Sequence, residues 1–384
     1  MEIAVLSAQT FKVQPLPTIS FGRGASLELG EHVQALGRTA ALIVTDKNLA
    51  ASGVLDPVVA ALRAANVRVD IFDGVEPNPT DRNVEDGADK LRALECACVV
   101  PIGGGSSMDC GKSIALLAAN GGSVEEMQAS LPGEADAPVI AVPTTAGTGS
   151  ETNSACVITN TRLGRKTYVM HPSITPRFAV LDPDLTVGLP TYPTATCGFD
   201  VLTHAVEAFV SVGSCAYSDT IALEAIRKVA GNLRDVVADG SDLEARSQML
   251  LGSAMAAIAF NTSGLGSVHG TGHAISARLN AAHGQTLATM LPHVMEYNMP
   301  ERAEKYGEVA RILAPNGPAT GVGAIDAVLA LRSDIGIDRS IQDLGGEDGL
   351  LAVLVEDATA DPVNFTNPRP ADAKAFEALY QAAW

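Results

Sequence analysis

The sequence predicts an α/β domain followed by an all-α domain, and three observations carry that prediction. Four apolar runs of strand length alternate with helical patterns in the first half. A stretch rich in Gly, Pro and Thr, GLPTYPTAT, interrupts the chain around residues 188–196. Beyond it the strand signals fade and Ala-rich segments with helical spacing take over. We therefore divide the chain into domains 1–190 and 191–384.

The elements follow in order. Residues 39–45, TAALIVT, form a continuous apolar run that ends at Asp46, and a helical pattern covers 54–65. Residues 67–72, VRVDIF, alternate and lead into the turn-rich DGVEPNPT, before a second helical pattern at 84–94. Residues 96–102, CACVVPI, end in Gly103-Gly104-Gly105; Cys96 and Cys98 are both expected in the core. A fourth run, 138–142, ends in PTTAGTGSE at 143–151. Apolar strands alternating with helices imply a parallel sheet covered on both faces. In the second half, 198–211, 215–238, 242–260, 267–280 and 301–313 read as helices. Ligands of open α/β sheets bind at the carboxyl ends of the strands.

Composition narrows the partners. The chain has 44 Asp plus Glu against 26 Lys plus Arg, a net charge of −18. That excludes an electrostatic case for nucleic acid or an anionic membrane surface. Hydrophobic residues at 47% and charged residues at 18% are enough to build a core. No segment reaches the roughly 18 consecutive apolar residues of a spanning helix. The start, MEIAVLSAQTF, lacks the basic stretch of a signal peptide. Six scattered cysteines without CxxC fit a reducing, cytoplasmic setting better than a disulfide framework.

Three features in the first half suggest an anionic ligand. Gly103-Gly104-Gly105-Ser106-Ser107-Met108-Asp109 lies between a strand and a helix, where glycines let backbone N–H groups approach a phosphate and the helix end adds partial positive charge. It matches neither G-x-G-x-x-G nor a Walker loop, and a ligand-free strand-to-helix turn would use the same residues. The 143–151 loop is also rich in small hydroxyl residues and Gly, and two such loops after neighbouring strands favour one shared ligand. Asp46 ends the first strong strand, where a carboxylate either accepts from a ribose diol or caps a helix.

The second half carries a metal-like constellation. Asp200 and His204 are four apart, as are His269 and His273, and His283 follows in AAHG. Four-residue spacing puts both groups on one helical face. One carboxylate with two or three imidazoles suits a divalent first-row metal. A lone His on an Ala-rich helix is usually a core residue. Five such groups in an apolar region, each costing roughly 2–7 kcal/mol if buried without partners, favour a site. Spacing does not say which four are ligands. His32, His171 and His293 lack partners at ligand spacing and read as structural or surface residues.

Together GGGSSMD, PTTAGTGSE, GFDVLTHAVEAF, GSVHGTGHAI and AAHG, with IVTDKNL, EPNPT and DPVNFTNPR in register, resemble the iron-containing (group III) alcohol dehydrogenase family. The resemblance implies a Rossmann-like dinucleotide-binding domain before a helical metal-binding domain, the fold shared with dehydroquinate synthase. It implies Asp200, His204, His269 and His283 as ligands of Fe(II) or another divalent metal, and His273 beside the nicotinamide ring. For the cofactor NAD it implies Gly103, Gly104, Gly105, Ser106 and Asp109 on the pyrophosphate, with Thr144, Thr145 and Thr148 in a second loop. Asn78 then lies on the adenosine side, Lys166 near the ribose, and Asp46 where NAD-preferring members carry an acid. The substrate pocket would be lined by Phe260, Ala155 and Val363; Ala155 and Val363 stand where relatives resembling lactaldehyde reductase carry Asn and Cys. The implied activity is reversible oxidation of a small primary alcohol to its aldehyde in a homodimer or higher homo-oligomer. The alternatives are reduction of a phosphonate-, sulfonate- or carboxylate-bearing aldehyde or ketone, and a metal-binding or filament-forming protein without activity.

Overall fold

The structure, a computed structural model, describes residues 10–129 and 133–384; most of the N-terminal stretch weighed above as a signal peptide lies outside them. Strands β1 (Thr18–Phe21), β2 (Ala40–Val44), β3 (Arg68–Phe72), β4 (Ala97–Gly103), β5 (Ile140–Pro143) and β8 (Phe178–Leu181) form a sheet in the order β1-β8-β5-β4-β2-β3. All its pairings are parallel. Between β5 and β8 an antiparallel hairpin, β6 (Ala155–Asn160) and β7 (Arg165–Met170), stands apart from that sheet.

The continuous apolar character of β2 has a direct cause. All five of its residues are buried, and successive side chains enter different cores. Ala40, Leu42 and Val44 join the core that contains Val84, Ala88 and Ile114, from α4 (Asp81–Arg92) and α5 (Gly105–Asn120). Ala41 and Ile43 join the core with Val33, Val58 and Leu62, from α1 (Leu29–Ala35) and α3 (Asp56–Ala64). The short helices α2 (Lys47–Ala51) and α6 (Val124–Ala129) complete this unit, which spans Pro15–Leu189.

One expectation needs correction. Cys98 is buried, but Cys96 is exposed, because β4 begins only at Ala97 and Cys96 sits in the turn before it at φ 54°. The strands β1, β6, β7 and β8 carried no clear signal. β1 and β8 are four residues each, and β1, at the sheet edge, has no buried residue.

Pro190–Trp384 belongs to a second, helical unit. It contains α7 (Thr191–Val210), α8 (Ala216–Ala238), α9 (Leu243–Ser263), α10 (Ser267–Leu279), α11 (His283–Leu313), α12 (Gly321–Asp334), α13 (Leu350–Ala360) and α14 (Ala373–Ala382). α7 is buried on nearly every side from Thr194 onward, the mark of a central helix. α11 starts 18 residues before the expected 301, with Pro292 and Pro300 inside it and a break at Arg302 (φ −139°). Both prolines lack the N–H of a regular helix, and the break follows Pro300 by two residues, which obscured the pattern. No single helix among the described residues is long and apolar enough to cross a membrane.

Close packing brings the polar positions of these helices together. A Cβ on Gly198 would lie 2.3 Å from Leu233 Cδ1 and 2.9 Å from Met249 Cε, so the side chains of α8 and α9 fill the space left by this glycine of α7. A Cβ on Gly284 would lie 2.0 Å from the Thr196 carbonyl oxygen. That contact seats the first turn of α11, with His283, against the N-terminal part of α7.

Candidate metal centre and cofactor loops

Asp200 and His204 lie one turn apart on α7, His269 on the first turn of α10, and His283 opens α11. Three imidazole Nε2 atoms surround a single carboxylate oxygen. His204, His269 and His283 lie 3.4, 3.7 and 3.8 Å from Asp200 Oδ1. Donors about 2.1 Å from a shared ion at tetrahedral corners would be about 3.4 Å apart, and these separations from Oδ1 lie at or a few tenths of an ångström above that value. The donor atoms of Asp200, His269 and His283 all lie within 4.8 Å of one another. Asp200 Oδ1 and His269 Nε2 are buried and have no hydrogen-bond partner. Orphaned polar atoms at such depth are rare, and a cation would satisfy both. The side chains of Asp200 and His269 are 4% and 2% exposed while His283 keeps 31%, so the cluster opens on the His283 side.

The same groups set one another's charges. Burial would raise the Asp200 carboxyl, but His204, His283 and His269 hold it far below the usual carboxylate range. Burial would likewise lower His269, yet Glu207 and Asp200 outweigh it and raise the imidazole to about 9.

Two carboxylates in this region escaped the sequence reading. Glu207, one turn beyond His204 on α7, accepts a hydrogen bond from His269 Nδ1 (2.5 Å). Asp361 accepts from His273 Nδ1 through Oδ2 (2.8 Å) and from Val363 N through Oδ1 (3.0 Å). The hint of Glu207 in the sequence is its place in GFDVLTHAVEAF, three residues after His204, and that of Asp361 is its place at the head of DPVNFTNPR. His273 stacks on His283, ring centroids 5.3 Å apart, while its Nδ1 is turned to Asp361.

In the α/β unit the two glycine-rich loops touch. The Thr144 N–H donates to the Gly103 carbonyl (2.9 Å). A Cβ on Gly104 would lie 3.4 Å from Thr145 Cγ2, and one on Gly105 only 2.7 Å from Thr148 Cγ2. Gly103 has φ +154°, a conformation that L side chains rarely adopt. Gly104 caps α5 without a side chain, so the first-turn N–H groups, those of Gly105 and Ser106 among them, face out of the helix end where an anion can take them.

The remaining candidates differ in setting. Asp109 faces inward: Oδ1 accepts from Ser150 Oγ (2.5 Å) and Oδ2 from Val157 N (2.8 Å), tying α5 to the second loop and to β6. Lys166 on β7 is lowered by burial, an effect opposed by Asp109. Asp46 caps α2, its Oδ1 accepting from Asn48 N (2.9 Å) and Leu49 N (3.0 Å), which is the helix-cap alternative weighed above. Asn78 is exposed at φ 56°, and its carbonyl accepts from Thr159 Oγ1.

Comparison with known proteins decides the family. Residues 17–183 match the model for iron-containing alcohol dehydrogenase, and residues 194–384 match that for the C-terminal part of the Fe-containing alcohol dehydrogenase family. The chain belongs to the iron-containing alcohol dehydrogenase family. It is similar to 1,3-propanediol dehydrogenase of Klebsiella pneumoniae, with 39% identity covering 96% of this chain and 98% of that protein. The NAD-dependent methanol dehydrogenase of Bacillus methanolicus is 37% identical over 92% of this chain and 95% of its own. A solved 1,3-propanediol oxidoreductase superposes with a TM-score of 0.94 at 38% identity, covering 98% of this chain and 100% of that one.

Within this iron-containing alcohol dehydrogenase, the three residues singled out for the pocket have distinct surroundings. The Phe260 ring on α9 tilts against His204, centroids 4.7 Å apart. Half-buried Val363 is held beside His273 through their shared partner Asp361. Ala155 begins β6, with its carbonyl accepting from Lys112 Nζ (2.7 Å).

Proposed function

We propose that this chain catalyses the NAD-linked, reversible oxidation of a small primary alcohol to its aldehyde at a metal held by Asp200, His204, His269 and His283. The observation that carries the proposal is the convergence of three Nε2 atoms on the buried, unpartnered Asp200 Oδ1. The donor set has no thiolate and suits Fe(II) or another divalent first-row ion. A bound ion there would supply Lewis-acid polarisation of a hydroxyl, and the nicotinamide would supply the hydride acceptor.

The chain's own residues do the rest. Asp200 remains ionised in this setting and supplies the negative charge of the site. Phe260, packed on His204, walls the cluster with apolar surface. His273, oriented through Nδ1 by Asp361, leaves Nε2 as the atom that would hold or pass the alcohol proton. The glycine loop, with the α5 N-terminus, would take the dinucleotide phosphates, and Asp46 would disfavour a 2′-phosphate.

A neutral substrate fits better than an anionic one, since Arg278, the basic residue of α10, is held by both oxygens of Asp357 (2.7 and 2.9 Å). Six free cysteines accord with a reducing cytoplasm. The reading also carries a homodimer or larger homo-oligomer, which sedimentation would measure.

A panel of short alcohols and aldehydes, run with NAD and NADP on iron-loaded protein, tests the proposal. We expect NAD-linked turnover of short primary alcohols that disappears in His269→Ala together with the bound metal. Full turnover by metal-free His269→Ala, or none across the panel at full metal loading, would sink it. Comparable rates with NADP would remove the role given to Asp46.

A further inference from the structure

We propose that Glu207 is a positioning residue of the metal centre, fixing both the tautomer of His269 and the start of the helix that carries it. The inference rests on the metal-site reading above. Glu207 is buried, at 4% exposure, and its two oxygens have different duties. Oε2 accepts from His269 Nδ1 (2.5 Å), while Oε1 accepts from the N–H of Val268 (2.7 Å).

Val268 and His269 are the second and third residues of α10, whose N-cap is Gly266 and offers no side-chain bond. A Cβ on Gly266 would lie 2.8 Å from Asn367 Oδ1 and 3.0 Å from Glu207 Oε1, so the glycine admits two acceptors from elsewhere in the chain. Asn367 Oδ1 takes the Ser267 N–H (3.1 Å) and is steadied by a reciprocal amide pair with Asn298 (3.0 and 2.9 Å). The cap of α10 is thus divided. Within α10, Asn367 serves only the Ser267 N–H, and Glu207 serves the Val268 N–H and the His269 imidazole together.

The division has a chemical consequence. With Oε1 engaged by the Val268 N–H, Oε2 is left to accept from Nδ1, so when the His269 ring carries a single proton that proton sits on Nδ1 and the Nε2 lone pair is the one offered to a cation. That Nε2 lies 3.7 Å from Asp200 Oδ1 and has no other partner. A glutamine at 207 cannot serve both donors. With its oxygen on Val268 N–H, its amide N–H₂ faces Nδ1 and drives the proton to Nε2, where it blocks coordination. With its oxygen on Nδ1, two N–H groups confront each other at the helix start.

The test compares Glu207→Gln with Asn367→Ala, using Zn(II) and Co(II) as probes. Chelator competition should show Glu207→Gln binding Zn(II) about 10–100-fold more weakly than wild type, as expected when a histidine ligand loses its outer partner. Its Co(II) visible spectrum should change as well. Asn367→Ala should lower the melting temperature and keep wild-type Zn(II) affinity. Zn(II) affinity of Glu207→Gln within about twofold of wild type would overturn the inference, the expected loss being at least about tenfold. Should that variant fail to fold, imidazole ¹⁵N spectra of Zn-loaded wild type decide: protonated Nδ1 with coordinated Nε2 supports the inference, and the reverse overturns it. Wild-type protein binding no more Zn(II) than Asp200→Asn would instead overturn the metal-site reading on which it stands.

Discussion

Two buried polar clusters, one in each unit, handle charge in opposite ways. Lys112 on α5 is fully buried, and its ammonium lies within 2.7–3.3 Å of five oxygens from Ser150, Asn153 and Ala155, with Asp109 at 3.8 Å. Every donor direction is used, so the cluster closes on itself and acts as a strut between α5 and the segment that leads into β6. In the Asp200 cluster, Asp200, His204 and His269 are buried while His283 is partly exposed, and Asp200 Oδ1 and His269 Nε2 have no hydrogen-bond partner. A satisfied buried charge supports the fold, whereas converging donors without hydrogen-bond partners leave room for a cation to supply the missing interaction.

Removing each charge should expose that difference. Lys112→Met would take the ammonium from five oxygens, of which Ser150 Oγ keeps its bond to Asp109 and Asn153 Oδ1 its bond from the Ala155 N–H, and would leave Asp109 without this cation. We expect a loss of about 3–5 kcal/mol in denaturant unfolding, and a loss under about 1 kcal/mol, an ordinary single hydrogen bond, would show that the strut reading is wrong. The Asp200 cluster should instead respond to metal. Zn(II) at about 100 times its dissociation constant should add about 3 kcal/mol to wild-type stability, and Asp200→Asn should gain none of it. Calorimetric melts with and without chelator measure both.

A pH-dependent effect concerns Glu151, the misfit beside the Lys112 cluster. Its Oε1 has no partner, and burial raises the carboxyl from 4.5 to about 7 despite Lys112. A carboxyl with a raised folded-state value favours folding below its unfolded value and loses that contribution as pH rises. The contribution of Glu151 is therefore complete below 4.5 and gone once pH has risen through about 7. Glu151→Gln should flatten the stability slope in that window. A slope equal to wild type would show that Glu151 titrates as an exposed acid does.

The sequence by itself determined the central strands, the helical second half and the residue types of both candidate sites. Its strongest signals came from elements buried on two sides, such as β2 and β4, where every position must be apolar. It also put Asp200 and His204 on one face, since helical spacing is a local property. Tertiary structure decided what depends on long separations. The bond from Glu207 to His269 spans 62 residues and that from Asp361 to His273 spans 88, and no periodicity reports such pairs. Likewise, which imidazoles approach Asp200 Oδ1 depends on how closely α7 and α11 pack, and there the absence of a Cβ at Gly284 matters as much as the histidines themselves. The inward turn of Asp109 is of the same kind, because a carboxylate in a glycine loop looks identical in sequence whether it faces a ligand or a strut.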